Sequence, residues 1–388
     1  MIKVGLLLRL HGMWRGGVVY YRNLLECYQE HPDPDVQMEV FTDQADELAK
    51  FRCDNLQVQS CPELLSGAIW NWPRRKLRRR IKGRLGYDPV LLRLMERNHI
   101  DLLTHIGLGR QTSVKTLPWQ SDFQHKVFPQ FFSPEECAGR DSEIANSALW
   151  GNILLSSQDA ANSFRKYYPE LASVRTHVLQ FSSIASLSVN IINRAELEEK
   201  YPVQKPYFFL PNQFWHHKNH KVVVDALRLT PPDIRVVCTG LMEDRRNPSY
   251  VSELLDSVRK YGLEQRFICL GELPYRIMIS LMRHSLAVVQ PSLFEGWSTT
   301  VEEAKALGVR IILSNLDVHK EQAPERGTYF EPHSPEDLAV CLQQVFAEQD
   351  STPEELYWDN RREYRARVAR QLSENYARIL KVVSEKST

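Results

Sequence analysis

The sequence predicts an α/β protein of two domains, each a parallel sheet wrapped by helices, and three observations carry that prediction. Short apolar runs of the buried-strand kind alternate with stretches of helical periodicity along most of the chain. The junctions at 11–17, 211–218 and 291–298 each lead from such a run, through a polar or glycine-bearing loop, into a helix. At 388 residues, 43% hydrophobic and 25% charged, the chain is long enough for two domains with their own cores.

Composition narrows the functional classes. The seven cysteines (27, 53, 61, 137, 238, 269 and 341) form no CxxC pair, and their number is odd. They read as reduced residues of a cytosolic protein. The N-terminal apolar run Val4 to Leu8 is too short for a signal segment, and no stretch approaches the 18 apolar residues of a membrane span.

In order, Ile2 to Leu8 is the first strand. It runs into His11-Gly-Met-Trp-Arg-Gly-Gly17 and a helix over Val18 to Tyr28. Gly16 and Gly17 permit close backbone approach to a ligand, though an ordinary strand-to-helix turn would read the same. Gln37 to Thr42 is a second strand. Asp33-Pro-Asp35 resembles a metal-binding DxD, but it follows a helix and precedes a strand, at the end of the sheet opposite to ligands; it reads as a turn, and no metal is expected.

Leu64 to Leu94 carries Trp70, Trp72 and the basic run Arg74 to Arg84. That run holds eight cations and no acid, so with a net charge of +1 the remainder sums to about −7. An amphipathic stretch on an anionic membrane surface, gaining roughly 1 kcal/mol per cation, or against an anionic acceptor is favoured over a solvated helix. A nucleic-acid partner is not expected, because no nucleic-acid motif accompanies the charge.

Ile100 to His105 and Lys115 to Pro118 are further strands. Asp122-Phe-Gln-His125-Lys126 follows in a segment kept irregular by Pro129 and Pro134. His125 is either a structural histidine or a site residue. Glu135 to Leu149 reads as helix, Ile153 to Ser156 as strand, Gln158 to Tyr167 as helix and Thr176 to Leu179 as the last strand of a first domain, 1–185. Residues 186–206 turn polar and less periodic, a linker with an entry helix.

The second domain, 207–360, opens with the strand Tyr207 to Leu210, the loop to Lys218 and a helix over Asn219 to Leu229. Strands follow at Arg235 to Thr239 and Phe267 to Leu270, the latter running into Gly271-Glu-Leu-Pro-Tyr275. Leu286 to Gln290 and Arg310 to Leu313 bracket the loop Pro291 to Ser298 and a helix marked by Val301, Ala304 and Leu307, which Gly308 stops. Thr328 to Phe330 is a short strand, Pro335 to Phe346 a helix, and Glu354 to Val383 one or two terminal helices.

The loop Pro291 to Ser298 lies at the carboxyl end of a parallel strand, where open α/β sheets bind ligands. Ser298, Thr299 and Thr300 suit a helix start whose free N–H groups welcome an anion. Glu295 stands in the loop, and Glu303, eight residues on, leans back toward the same terminus. A carboxylate is a poor phosphate ligand but a good acceptor for sugar hydroxyls, each such bond contributing roughly 1.5–3 kcal/mol. The pattern suits a sugar on one side of a diphosphate and a ribose on the other.

Glu295-Gly-Trp-Ser-Thr-Thr-Val-Glu-Glu303-Ala-Lys-Ala-Leu-Gly308 resembles the E-x7-E signature of the retaining GT-B glycosyltransferases, family four. The resemblance implies two Rossmann-like domains with parallel sheets facing across an interdomain cleft, and a C-terminal helix, 361–388, packing back on the first. It implies that Glu295 and the backbone N–H groups of Gly296 and Trp297 orient a donor sugar and that Glu303 holds the ribose. By the same resemblance, the helix start at Ser298 to Thr300, the Gly16–Gly17 loop and Lys218 face the diphosphate. His125 would stand beside the sugar, and Leu273 and Tyr275 would frame the base. Gln213 stands where the pattern expects an arginine, which shifts the burden of charge onto Lys218.

The implied activity is transfer of a hexose, GDP-mannose weakly favoured as donor, with retention of configuration and without a metal or other cofactor. The expected acceptor is a cell-surface or lipid-linked glycan, with the protein cytoplasmic or peripheral at the inner face of the membrane. Two alternatives stay open. The chain could be a catalytically inactive nucleotide-sugar-binding partner, which Gln213 keeps alive, or another GT-B enzyme, an epimerase or phosphorylase.

Overall fold

The computed structural model describes residues 1–9, 15–61, 78, 80, 81, 83–109, 112–203, 206–349 and 354–385. The chain divides into two units, Met1–Phe181 with Arg367–Thr388, and Ser182–Ala366.

The first unit holds β1 (Ile2–Leu8), β2 (Val36–Thr42), β3 (Leu56–Ser60), β4 (Leu102–His105), β5 (Lys115–Gln120), β6 (Asn152–Leu155) and β7 (Arg175–Val178), all parallel, in the order β3-β2-β1-β4-β5-β6-β7. The edge strand β3 has no counterpart in the sequence expectations. Its residues Leu-Gln-Val-Gln-Ser are half polar because Leu56 and Val58 point to the buried face and Gln57 and Gln59 to the other; among the described residues its outer edge meets no further strand. The Asp33-Pro-Asp35 turn enters β2, and both carboxylates take Lys381 Nζ, at 2.8 and 3.1 Å.

In the second unit, β8 (Phe208–Leu210), β9 (Val236–Cys238), β10 (Phe267–Cys269), β11 (Val288–Gln290), β12 (Ile311–Ser314) and β13 (Gly327–Phe330) form a parallel sheet ordered β10-β9-β8-β11-β12-β13. Successive side chains alternate between its faces. Phe208, Leu210, Val236, Cys238, Val289 and Ile312 enter one core, while Phe209, Val237, Val288, Ile311 and Leu313 enter the other. Both faces are covered, which is why these strands read as unbroken apolar runs. The strand order reverses between β8 and β11, so the loops leaving those two neighbours start side by side at their carboxyl ends, the place where open α/β sheets bind ligands.

The described residues of the segment 186–206, read as a linker with an entry helix, belong to this second unit. Ile192, Leu197 and Val203 are buried in its core, and the Ile192 N–H donates to Ser280 Oγ at 3.0 Å.

The terminal helix Glu354–Ser384 contributes to both units. Arg361 donates to the carbonyls of Lys305 and Ala306 at the end of the helix Thr299–Leu307, where Lys305 O also accepts from the Gly308 N–H at 3.1 Å. From Arg367 onward the helix belongs to the first unit, where Leu372, Tyr376 and Leu380 are buried. Ser373 Oγ donates to His31 O at 2.6 Å, and Lys115 Nζ donates to the carbonyls of Val383 and Ser384 at 3.2 and 3.0 Å.

Trp70, Trp72 and most of the basic run lie outside the described residues. Within it, Arg78 is helical and pairs with Asp88 at 2.7 Å. Among the described residues no helix is long and apolar enough to cross a membrane.

Candidate functional site

The switch point of the second sheet brings its two loops together. From β8 the chain runs through Pro211 to a short 3₁₀ turn, His216–Lys218, and Asn219 then adopts a left-handed φ of 55° before the helix His220–Leu227. The left-handed residue re-aims the chain, so Lys218 faces the loop that leaves β11. Lys218 Nζ lies 2.6 Å from Glu295 Oε1. That oxygen also accepts from Gln290 Nε2 at 2.7 Å and Ser292 Oγ at 2.6 Å. Three donors thus converge on Oε1, while Oε2 accepts no hydrogen bond among the described residues. Burial pushes the Glu295 carboxyl up, but Lys218 and Ser292 outweigh it and hold the group below the usual carboxylate range.

Gln290, the last residue of β11, ties the loops into one structure. Its Oε1 accepts from Asn212 Nδ2 at 2.9 Å, and its amide nitrogen also reaches Ser298 Oγ at 3.1 Å. Backbone joins them as well, because the Leu293 N–H donates to His217 O at 2.8 Å. Ser298 caps the helix Thr299–Leu307 as the sequence predicts, its Oγ accepting from Val301 N at 3.4 Å. Thr300 is buried, and Gly296, Trp297 and Thr299 are half-buried around the cap.

Glu303, one turn into that helix, is buried, and its Oε1 accepts from the Tyr275 hydroxyl at 2.9 Å. Burial pushes its carboxyl up to about 7 despite this bond. Tyr275, expected beside Leu273 at a nucleotide base, thus has its hydroxyl on Glu303, and both residues pack at the margin of the second core.

Gln213, at the position where the resemblance expects an arginine, lies in the loop that leaves β8. Its Oε1 accepts from Leu241 N at 2.8 Å and braces the neighbouring loop, where Gly240 has φ 141° and a Cβ would come within 2.3 Å of Asn212 O.

Sequence reasoning missed a buttress behind the loop. It is built from the end of β12 and the helix Asp317–Gln322. Ser314 Oγ donates to Ser292 O at 2.5 Å, and Ser314 O accepts from His319 Nδ1 at 2.8 Å. Gln322 grips the Ser298 backbone twice, accepting its N–H at 3.2 Å and donating to its carbonyl at 2.9 Å, and also donates to the buried Glu302. The available signal was positional: these residues follow the next parallel strand, at the same end of the sheet.

Two expectations in the first unit need correction. Gly16 and Gly17 lie in the first turn of the helix Arg15–Glu30, not in the preceding loop, whose residues 10–14 lie outside the described ones. The expectation places the start later because nothing in the apolar pattern marks this first turn. His125 lies in a short helix, Gln124–Val127, rather than an irregular loop. Its Nε2 meets Asp141 Oδ1 and the Tyr168 hydroxyl, each at 3.0 Å, and Asp141 also takes Lys126 at 2.7 Å. Burial draws the His125 pKa down against the pull of Asp141, and its buried Nδ1 has no partner among the described residues. The structure therefore gathers Lys218, Glu295, Ser298 and Glu303 on one unit, while Gly16, Gly17 and His125 belong to the other.

A lysine paired with a carboxylate that keeps one oxygen open, beside a capped helix terminus, all at the carboxyl ends of two neighbouring parallel strands, can receive a phosphate and a polyhydroxyl group together. Residues 193–363 match the family model of glycosyl transferases group 1. This group 1 region takes in every candidate residue of the second unit.

The chain is also similar to the serotype-specific mannosyltransferase WbdA of Escherichia coli, with 24% identity over 203 residues, 51% of this chain and 24% of that protein. It thus spans about a quarter of the length of the curated relatives it matches. Among solved structures, a glycosyltransferase from Rickettsia africae covers 100% of the chain and 99% of its own, with a TM-score of 0.66 and 16% identity. Anabaena Alr3699/HepE, solved in complex with UDP and glucose, covers 98% and 100%, with 0.66 and 14%. WaaG, a glycosyltransferase involved in lipopolysaccharide biosynthesis, covers 96% and 95%, with 0.55 and 13%. These likenesses establish the fold, two parallel-sheet α/β domains of the GT-B type with a C-terminal helix.

Proposed function

We propose that this chain is a glycosyltransferase that moves a hexose from a nucleoside diphosphate sugar to a glycan or lipid-linked acceptor, with retention of configuration and without a metal. The observation that carries the reading is the Lys218–Glu295 pair, 2.6 Å apart at the switch point of the second sheet. In the free chain the two charges satisfy each other. A donor would take both: Lys218 would pass to the leaving diphosphate, and Glu295, through its open Oε2, would accept from a sugar hydroxyl. Lys218 and the N–H groups of Thr299 and Thr300 would then stabilise the negative charge that builds as the anomeric carbon–oxygen bond breaks. The acceptor hydroxyl oxygen bonds to the same face, and its proton passes to the departing phosphate oxygen, so no protein base is required.

Glu303 is assigned the ribose of the donor. The likeness to WbdA, named as a mannosyltransferase, supports GDP-mannose as the first donor to test, while the nucleotide in the HepE complex makes the UDP sugars the second. Incubation with GDP-mannose, UDP-glucose and UDP-galactose should release nucleoside diphosphate with one of them, unaffected by a metal chelator. Glu295→Ala and Lys218→Ala should each slow release at least about 100-fold. Donor binding without turnover in the presence of candidate acceptors would favour the inactive-partner reading, and unimpaired turnover in both variants would remove this site. His125→Asn tests the role that the resemblance gives that residue.

A further inference from the structure

We propose that His319 is a further donor-binding residue, its Nε2 accepting a hydrogen bond from a hydroxyl of the transferred sugar; this rests on the function proposed above. The imidazole is fully buried. Its Nδ1 lies 2.8 Å from Ser314 O, a carbonyl that can only accept, so Nδ1 carries the proton and Nε2 is left with a bare lone pair. Burial also depresses the pKa of the ring and keeps it neutral. Nε2 has no partner among the described residues, and a buried acceptor left unpaired is a standing cost that calls for a partner absent from the free chain.

The position of the ring says what that partner is. His319 is linked to Glu295 through Ser314, whose Oγ holds Ser292 O, and Ser292, whose Oγ holds Glu295 Oε1. It also lies within electrostatic reach of Glu295 and Lys218. Neither can satisfy it: the Glu295 carboxylate has no proton to give, and Lys218 is engaged by Glu295. A diphosphate offers only acceptors. A sugar hydroxyl can donate to Nε2, and the sugar is the part of the donor that Glu295 is proposed to hold.

The substitutions separate the two ring nitrogens. His319→Asn keeps an amide near the place of Nδ1, able to donate to Ser314 O, and removes Nε2; His319→Gln offers an oxygen near the place of Nε2. Calorimetric titration of the full chain would compare GDP with GDP-mannose, and UDP with UDP-glucose. His319→Asn should bind the nucleoside diphosphate as the unaltered chain does but the nucleotide sugar about five- to tenfold more weakly, with part recovered in His319→Gln. An unchanged preference for the nucleotide sugar in His319→Asn would overturn the proposal. Should that variant not fold, the histidine ¹⁵N resonances of the unaltered chain decide. Nε2 of His319 should move upfield with the nucleotide sugar and stay in place with the nucleoside diphosphate, and no differential movement sinks the idea. If the unaltered chain binds none of the four nucleotides, the parent reading fails and takes this one with it. If it binds a nucleotide sugar through Glu295 and His319→Asn is neutral, this inference alone fails.

Discussion

Glu295 and Glu303 stand eight residues apart and carry the same side chain, yet the fold gives them opposite protonation preferences. Glu295 is held ionised by Lys218, and Glu303 is raised to about 7 by burial. Between its ordinary value of 4.5 and about 7 the folded Glu303 binds its proton more tightly than the unfolded chain does, so stability falls as pH rises through that window and the full cost applies above it. Glu303→Gln should therefore match the unaltered chain below about pH 4.5 and gain on it toward pH 8, by on the order of 3 kcal/mol, as read by urea denaturation at stepped pH. Removing Lys218 leaves Glu295 charged and without its cation. Lys218→Ala should cost about 3 kcal/mol, and adding Glu295→Ala should recover part of that loss, which a double-mutant cycle measures. The identity and spacing of these residues were legible in the sequence. Their charge states were not, because a pKa depends on what the fold packs around the carboxyl.

Among the elements, the helix Thr299–Leu307 decides the site, since its cap, its two acids and its stop are written into consecutive residues. Ser298→Ala removes the cap and one of the partners of Gln290. It should cost about 1 kcal/mol of stability and weaken nucleotide-sugar binding, by thermal melting with and without ligand. Gly240→Ala would drive a Cβ into Asn212 O at 2.3 Å and displace the loop that carries Lys218, so it should cost more than the loss of the cap and reduce turnover with it. The loop after β11 was legible because a strand, a capping cluster and a helical period adjoin. The buttress of Ser314, His319 and Gln322 was not, because a six-residue helix shows less than two turns of periodicity and its partners lie some 20 residues away in the chain.

At the scale of the molecule, the first unit is completed by the last residues of the chain. Deleting 367–388 removes the buried Leu372, Tyr376 and Leu380 and leaves Asp33 and Asp35 without Lys381. The first unit should then lose its cooperative thermal transition and become sensitive to limited proteolysis, while Ser182–Ala366 stays protected. Apolar runs broken by loops by themselves determined two parallel α/β units, since a strand buried on both faces must be apolar throughout, and they placed the loop Pro291 to Ser298, since the cap and acids beside it are local. The edge strand β3 and the absorption of 186–206 into the second core were decided by tertiary structure, because polar alternation and mixed composition acquire a face only when neighbours are in place. So was the meeting of Lys218 with Glu295: residues 77 positions apart become hydrogen-bonding partners because β8 and β11 lie side by side in one sheet, and strand order is a property of the assembled sheet that no local stretch encodes.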